Sequence, residues 1–231
     1  MIVKLLLVML LIAPSVLKAE ISVDTMYQGN DWLKFSLSEW RNFKNSFFRG
    51  WEAARTRDLS NDGLDPAISI GTLHFAHLSW NGEDYYVSPV NYRSAAQVEK
   101  SKTSSGEKSI RVPGGGVCAL FIYNPQLERV AKISTDLPES NHQTWCNGIY
   151  GIGASRQPEG ILLSISYYLT SDSPAKTASE IGQGWRYMTV LFRLEKENGQ
   201  LRLIQDDSCL GNPNTYADVP SARKALAKCK K

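Results

Sequence analysis

Apolar and polar residues alternate most clearly along residues 184–207, on both sides of Asn198-Gly199. This dipeptide accepts positive φ at both central positions of a type I′ turn, so the pattern predicts a β-hairpin with a two-residue loop. One face of the hairpin is apolar and the other is polar, which predicts a strand pair that covers a core on one side. The loop also fixes the register, which pairs Glu197 with Gln200, Glu195 with Arg202, Leu194 with Leu203 and Phe192 with Gln205.

Further stretches show the short apolar runs and turn residues of antiparallel strands. Two pairs of stretches predict hairpins, namely 68–80 and 84–90 around Asn81-Gly82, and 117–123 and 127–133 around Asn124-Pro125-Gln126. Another strand is predicted to start at Cys146, and one more covers residues 161–169. Three stretches lack the pattern and are predicted to be polar connections: 21–31, 92–116 and 171–184.

Two helices are predicted, one near each end of the chain. Ser36-Leu37-Ser38-Glu39 has the form of a capping box, and an aromatic-rich apolar stripe follows it at helical spacing to about Arg57. Asp218 and Pro220 open the second helix, whose inner stripe is predicted to be Ala222, Ala225, Leu226 and Cys229. Because the helices flank hairpins without βαβ alternation, we predict an α+β fold. In it, antiparallel β-hairpins form a sheet or sandwich, with an N-terminal amphipathic helix and a short C-terminal helix.

The first residues have the three parts of a secretory signal peptide. Lys4 precedes an apolar run over residues 5–12, and Pro14 breaks the run before the small residue Ala19. We therefore predict cleavage after residue 19 and a periplasmic or secreted location. The run is shorter than the roughly 20 residues that span a bilayer, so no membrane insertion is expected. Residues 20–231 are predicted to form one domain, with a helical part (20–66), a β-rich core (67–210) and the C-terminal helix (211–231).

The charge of the mature chain argues against nucleic acid as a partner. Residues 1–19 carry Lys4 and Lys18 and no acidic residue, so their removal lowers the formal net charge from +3 to +1. Nucleic-acid-binding proteins instead cluster Lys and Arg over a binding face. A group of cations at the C-terminus is interpreted as a solvated helix end, with a polyanion-binding patch as the alternative: Arg223, Lys224, Lys228, Lys230 and Lys231.

The four cysteines predict two disulfides in an exported chain. No Cys-x-x-Cys pair is present, so the spacing does not suggest a metal site. Of the three possible connectivities, we favour Cys118–Cys146 and Cys209–Cys229, because each closes a short loop. Each bridge would stabilise the fold by about 3 kcal/mol in the loop-entropy interpretation. Paired cysteines also leave no thiol nucleophile for catalysis.

Residues 58–63 match the Asp-x-Ser-x-Asp-Gly opening of a calcium-binding loop. Oxygen atoms of Asp58, Ser60 and Asp62 could converge on one hard cation, with Asp65 as a further carboxylate. The twelfth position of the loop is Ser69, where a bidentate acid is expected. An ordinary turn without an ion also explains Asn-Asp-Gly after a helix and is the simpler interpretation. No other cofactor is suggested.

Catalytic motifs give little support for an enzyme. Gly-x-Ser-x-Gly and His-Glu-x-x-His are absent, and His74 and His77 would point to opposite faces of a strand. Asp206 and Asp207 could act as the paired carboxylates of a cell-envelope hydrolase, although adjacent acids at a strand end are usually solvated. The sequence leaves enzymatic activity open and favours a protein that acts by binding.

Aromatic residues at predicted hairpin ends are the candidate contact residues: Trp80, Tyr85, Tyr86 and Trp145. Exposed rings at such places suit contact with a protein or a carbohydrate. Packing in the core or at its rim is the alternative for each ring.

One N-terminal stretch resembles a known family. Gly29-Asn30-Asp31-Trp32-Leu33, followed by Phe47-Phe48-Arg49-Gly50-Trp51, is similar to the Gly-Asn-x-x-Leu and aromatic-x-x-Gly-aromatic elements of small periplasmic immunity proteins that neutralise type VI secreted cell-wall amidases. The resemblance implies a periplasmic protein that inhibits a partner protein. We therefore expect an exported, disulfide-stabilised, non-enzymatic protein that binds a partner protein, with an inhibitor or immunity-type role as its most specific form. The alternatives are a cell-envelope hydrolase that uses carboxylates and a calcium-dependent carbohydrate-binding module.

Overall fold

A computed structural model describes residues 21–25, 37–63, 76–93, 97–103, 106–112, 116–138, 144–169 and 184–229. The helices in these residues are α1 (Leu37–Asn61) and α2 (Val219–Leu226). The strands are β1 (Ile21–Thr25), β2 (Ala76–Trp80), β3 (Glu83–Arg93), β4 (Gln97–Thr103), β5 (Gly106–Val112), β6 (Gly116–Tyr123), β7 (Arg129–Ser134), β8 (Thr144–Arg156), β9 (Glu159–Leu169), β10 (Gly184–Glu197) and β11 (Gln200–Gln205). The predicted signal peptide lies outside the described residues.

The strands form two antiparallel sheets that pack face to face. The first sheet has the order β1-β2-β3-β6-β7, and the second has the order β11-β10-β9-β8. Among the described strands, β4 and β5 pair only with each other. The coarser prediction, an α+β protein built mostly from antiparallel β-hairpins in a sheet or sandwich, is confirmed, and the arrangement is that of two sheets. No helix in the described ranges has the length and apolarity that a bilayer crossing requires.

The main core fills the space between the two sheets, because alternate residues of each strand point inward. It is built from aliphatic and aromatic side chains of both sheets, including Leu78, Val87, Leu120, Ile122, Ile161, Leu163, Ile165, Val190 and Phe192. The disulfide Cys118–Cys146 crosses this core and joins β6 to β8. The strands approach so closely here that a Cβ on Gly116 would lie 1.8 Å from the backbone oxygen of Cys146, which leaves room only for glycine.

Each sheet also has a helix on its outer face. The last turns of α1 pack on the first sheet, where Ala54 and Leu59 meet Val90, Phe121 and Tyr123. α2 packs on the second sheet, with its inner residues resting on Leu162 and Leu191: Val219, Ala222 and Leu226. The amphipathic pattern of α1 before residue 49 stays a prediction, since the side chains of residues 37–48 are outside the described part.

The predicted hairpins around Asn198-Gly199 and Asn81-Gly82 are confirmed with their turns, and residues 68–75 of the predicted strand 68–80 lie outside the described residues. Asn198 and Gly199 have φ values of 52° and 78°, and Asn81 and Gly82 have φ values of 54° and 75°. These are the conformations that a two-residue type I′ loop needs. The register of β10 with β11 is the predicted one: Glu197 with Gln200, Glu195 with Arg202, Leu194 with Leu203 and Phe192 with Gln205.

Three predictions about local structure are wrong. Residues 92–116 are not a polar connection throughout, because β4 and β5 form a hairpin there; their sequences, QVEKSKT and GEKSIRV, lack the apolar alternation that marks a core strand. The polar stretch 21–31 begins with β1, which pairs with β2. Cys229 does not face inward but is exposed, because α2 ends at Leu226, before the stripe reaches it.

Candidate functional site

The two disulfides have the predicted connectivity, Cys118–Cys146 and Cys209–Cys229. None of the four cysteines is free. Disulfides form and persist in oxidising compartments, so both bridges are consistent with a periplasmic or extracellular protein.

Two of the four aromatic residues proposed for contact lie in the core. Trp80 is 4% exposed and Tyr85 is 8% exposed, so neither ring is accessible to a partner. The Tyr85 hydroxyl donates a hydrogen bond to the Glu83 carboxylate. Burial, together with this carboxylate, raises the pKa of Tyr85 to about 12. Tyr86 is half-buried beside His77, at 5.9 Å between ring centroids.

Trp145, the fourth of these residues, belongs to a larger group of rings on the outer face of the second sheet. We call this group the aromatic patch and define it by Trp145, Tyr150, Tyr168, Trp185 and Tyr187. Tyr150 is 59% exposed, Trp185 is 50% exposed and Tyr187 is 49% exposed. The rings occupy the part of the face that α2 leaves uncovered.

Strand register places these rings side by side. Trp145 on β8 pairs with Tyr168 on β9, and Tyr168 pairs with Trp185 on β10, so three rings cross the sheet in one row. Two residues further along β10, Tyr187 pairs with Ser166 and faces the same way, since side chains on a strand alternate between faces. Tyr150 lies where the register of β8 shifts between Ile149 and Gly151. The irregularity turns its ring toward Tyr187.

The rings of the aromatic patch pack against one another. Trp145 and Tyr168 are stacked, with centroids 5.2 Å apart and planes at 18°. Tyr168 meets Trp185 edge to face at 4.7 Å and 67°, and Tyr150 meets Tyr187 at 5.7 Å and 65°. These offset and edge-to-face contacts are the favourable geometries for aromatic pairs. The surface they make is uneven, because neighbouring rings do not lie in one plane.

Polar groups lie between the rings. Ser166 Oγ donates to the Tyr150 hydroxyl oxygen at 3.3 Å and accepts from Asn147 Nδ2 at 3.3 Å. The aromatic patch therefore offers apolar area together with hydroxyl and amide groups.

The sequence contained a signal for two residues of the aromatic patch, Trp185 and Tyr187, which the search for aromatic residues at hairpin ends missed. Alternation along β10 places Met188, Val190 and Phe192 on the inner face, where all three are buried. The same alternation places Trp185 and Tyr187 on the outer face, where two large rings are unexpected for a solvated surface. Tyr150 had no comparable signal, because its orientation depends on the irregularity in β8.

The candidate calcium ligands are engaged in ion pairs. Asp62 accepts hydrogen bonds from Arg129 at 2.7 and 3.1 Å and from Lys132 at 3.0 Å. Asp58 is buried in the last turn of α1, and Arg57 donates to its carboxylate at 3.2 Å. Ser60 is exposed, and Asp65 lies outside the described residues. A cation could use these carboxylates only by displacing the guanidinium and ammonium groups.

The electrostatics of this region fit an anchor for α1. Burial raises the pKa of Asp62, but hydrogen bonds and positive charge from Arg129 and Lys132 outweigh burial and hold it below its usual value. Arg129 also lies over the Phe121 ring, with its guanidinium carbon 5.0 Å from the centroid. Burial, with the nearby Asp58 carboxylate, raises the pKa of Tyr123 well above its usual range. Calcium at this loop stays a prediction; no cluster of three or more metal-binding side chains occurs in the described residues.

The paired carboxylates proposed for hydrolysis are tied to structural partners. Asp206 accepts hydrogen bonds from the Ser208 side chain at 2.5 Å and its N–H at 3.0 Å, which hold the pKa of Asp206 below its usual value despite burial. Asp207 accepts from Gln205 at 3.0 Å and from Asn212 at 3.1 Å. A general acid needs a raised pKa, so Asp206 is poorly suited to that role.

The histidines give no catalytic pair in the described part of the chain. His77 Nε2 lies 3.1 Å from an Asp84 carboxylate that is 62% exposed, and His74 and His142 are outside the described residues.

A cavity of about 680 Å³ lies beside Cys118, and the described residues around it include a single carboxylate, that of Asp136.

No family model matches the chain, and neither do curated proteins or solved structures.

Proposed function

We propose that this chain is an exported protein that acts by binding a partner protein through the aromatic patch. The observation that carries the proposal is the position of the exposed apolar residues. Four large apolar side chains are exposed in the described residues, and three of them, Tyr150, Trp185 and Tyr187, belong to the aromatic patch, the fourth being Val130. Scattered apolar residues are normal on a protein surface, whereas a concentration of them marks an interaction site.

The ring geometry favours a protein over a flat glycan. A sugar ring stacks on an aromatic ring whose face is open, and a polysaccharide needs several such faces in one plane. Here Trp145 and Tyr168 stack on each other, and the other two ring pairs are tilted by 65° and 67°. The uneven surface suits partner side chains that fit between rings. Tyr and Trp also give large contact area at a low entropic cost, which is why they dominate protein interfaces.

Export and the type of partner are finer parts of the same proposal. Residues 1–19 have the pattern of a signal peptide, and the two disulfides suit the oxidising compartment to which it would lead. Residues 29–51 resemble parts of periplasmic immunity proteins, so the most specific form of the proposal is an inhibitor or immunity-type role.

The proposal is tested by binding experiments with the mature chain, residues 20–231. Wild type, Trp185→Ala/Tyr187→Ala and the control Val130→Ala are immobilised and exposed to an envelope extract. The retained protein is identified, purified and titrated by calorimetry. Loss of an interface ring costs about 2 kcal/mol, so the double variant, which loses two rings, should bind about 4 kcal/mol more weakly, with a Kd that rises roughly several hundredfold. Val130→Ala should bind like wild type, because Val130 lies on β7 in the other sheet.

Equal affinities of the double variant and wild type would exclude the aromatic patch from the interface. If the mature chain is retained on cell-wall glycan and no stoichiometric protein partner is found, the ligand is a carbohydrate and not a protein. Circular dichroism and urea unfolding of the double variant are the folding control, and both side chains are exposed enough for the fold to persist.

A further inference from the structure

The two disulfides differ in their shielding from solvent. Cys118 and Cys146 are 1% and 2% exposed and lie between the sheets. Cys209 is half-buried, and Cys229 is exposed just beyond the end of α2. Thiol–disulfide exchange requires an attacking thiolate to reach a sulfur atom, so access favours attack on the second bridge.

The Cys209–Cys229 bridge holds a helix that is too short to be stable alone. α2 has eight residues, whereas isolated helices shorter than about 12–15 residues are marginal in water. Its stability therefore depends on packing against Leu162 and Leu191, on the hydrogen bond that Arg223 Nε donates to the Ala154 carbonyl at 2.7 Å, and on the bridge at its end. The bridge closes a loop with a sequence separation of 20 residues. In the loop-entropy interpretation, this closure shifts the equilibrium toward the docked helix by roughly a hundredfold.

The other end of α2 is held without the bridge. The Asn214 side chain donates to the Thr189 carbonyl at 2.9 Å and accepts from the Thr189 N–H at 3.2 Å, much as a neighbouring strand would. Asp218 caps the helix by accepting from the Ser221 N–H at 2.6 Å. Opening of the bridge would thus release α2 from its C-terminal end and leave the segment around Asn214 in place.

We propose that Cys209–Cys229 is a site of thiol–disulfide exchange with a dithiol protein, and that its reduction releases α2 from the second sheet. A thiolate of the dithiol attacks Sγ of Cys229, which is the more exposed residue of the pair, and Cys209 leaves as a thiolate. The second thiolate of the reductant then attacks the reductant's sulfur atom in the mixed disulfide. This step forms the reductant's own disulfide and releases the Cys229 thiolate. Two electrons pass from the dithiol to the bridge, and two protons complete the new thiols.

Release of α2 has a defined structural consequence. It uncovers Leu162 and Leu191, which lie on the same outer face of the second sheet as Ser166 and Tyr187. The apolar surface of that face then extends beyond the aromatic patch toward the other end of the strands. The proposal does not depend on what the aromatic patch binds, because it concerns the half of the face that α2 covers.

The first test measures which bridge a dithiol reduces. The folded mature chain is treated with dithiothreitol, and new thiols are alkylated and located by mass spectrometry over time. We expect Cys209 and Cys229 to be alkylated at least about tenfold faster than Cys118 and Cys146, because access controls the exchange rate. Equal rates for the two bridges would overturn the proposal.

The second test measures whether the bridge controls α2. Hydrogen exchange of the α2 amides is compared between wild type and Cys209→Ser/Cys229→Ser, with Cys118–Cys146 intact in both. We expect protection of α2 to fall by about a hundredfold while β9 and β10 stay protected. Unchanged protection of α2 would show that the bridge does not hold the helix on the second sheet. A matching loss of protection in Leu226→Ala, which weakens packing and keeps the bridge, would confirm that the readout follows release of the helix.

Discussion

At the scale of a single residue, Asp62 links the end of α1 to β7 by charge. Its partners Arg129 and Lys132 are both on the strand, and the three side chains are 16%, 22% and 35% exposed. These partners keep the folded-state pKa of Asp62 below its ordinary value of 3.8. A carboxyl with a lowered folded-state pKa stabilises the fold above its unfolded pKa, and this contribution is lost as the pH falls through the folded-state pKa.

Asp62→Asn is therefore predicted to lower the free energy of unfolding by about 1–2 kcal/mol at neutral pH, the usual value for a charged hydrogen-bonded group. The difference from wild type should shrink as the pH falls below the unfolded-state pKa of Asp, about 4, and then through the lower pKa of Asp62 in the folded state. Urea unfolding followed by tryptophan fluorescence over this pH range measures both effects. Glu197→Gln is the matched control, because the Glu197–Arg202 pair has the same 2.7 Å distance but is 62% and 57% exposed. A difference that does not change with pH would contradict the prediction.

At the scale of one element, the β10–β11 hairpin depends on the backbone of its turn. Gly199 has φ of 78°, and a Cβ there would meet no atom within 4 Å, so only the backbone conformation opposes a side chain. Gly199→Val should cost about 1–2 kcal/mol, since a branched L-residue is disfavoured at positive φ. The same side chain at the exposed strand position Gln200 should cost little. Thermal and urea unfolding of Gly199→Val and Gln200→Val measure the contrast, and equal losses would mean that the turn does not need glycine.

The elements that could be predicted from sequence are those encoded by neighbouring residues. Asn198-Gly199 specifies a turn within two residues, so the register of a whole hairpin followed from it and was confirmed. β1 was missed because its alternation is short: Ile21 and Val23 contribute to the core, but ISVDT has only five residues and pairs with β2, some 50 residues later along the chain. The aromatic patch depends on three strands and on an irregularity in β8, which are tertiary features. Sequence periodicity could place Trp185 and Tyr187 on the outer face but could not bring Tyr150 to them.

At the scale of the whole molecule, unequal element lengths explain why one sheet face stays open. β9 has 11 residues and is about 36 Å long at 3.3 Å per residue, whereas α2 has eight residues and is about 12 Å long. Whatever its direction, α2 can cover only part of the outer face of the second sheet. Apolar residues continue beneath the helix as Leu162 and Leu191, and beyond it the strands carry Tyr168, Trp185 and Tyr187. The chain thus retains rings where a longer helix would have buried them.

The two disulfides should stabilise different parts of the molecule. Cys118–Cys146 joins the two sheets through the core, and its loss affects every residue that unfolds with the sandwich. Loop entropy for its separation of 28 residues predicts that Cys118→Ala/Cys146→Ala lowers the free energy of global unfolding by about 3.5 kcal/mol. The urea m-value should rise, because an unfolded chain with one bridge fewer exposes more surface.

Cys209→Ser/Cys229→Ser is the comparison variant for this last experiment. Its bridge closes a loop of similar size, with a separation of 20 residues, but clamps only α2. If α2 can detach while the sandwich stays folded, urea unfolding monitored by the buried Trp51 and Trp80 should show a smaller loss than in the Cys118→Ala/Cys146→Ala variant. Equal losses in the two variants would mean that α2 and the sandwich unfold as one cooperative unit. In that case α2 could not detach while the sandwich stays folded.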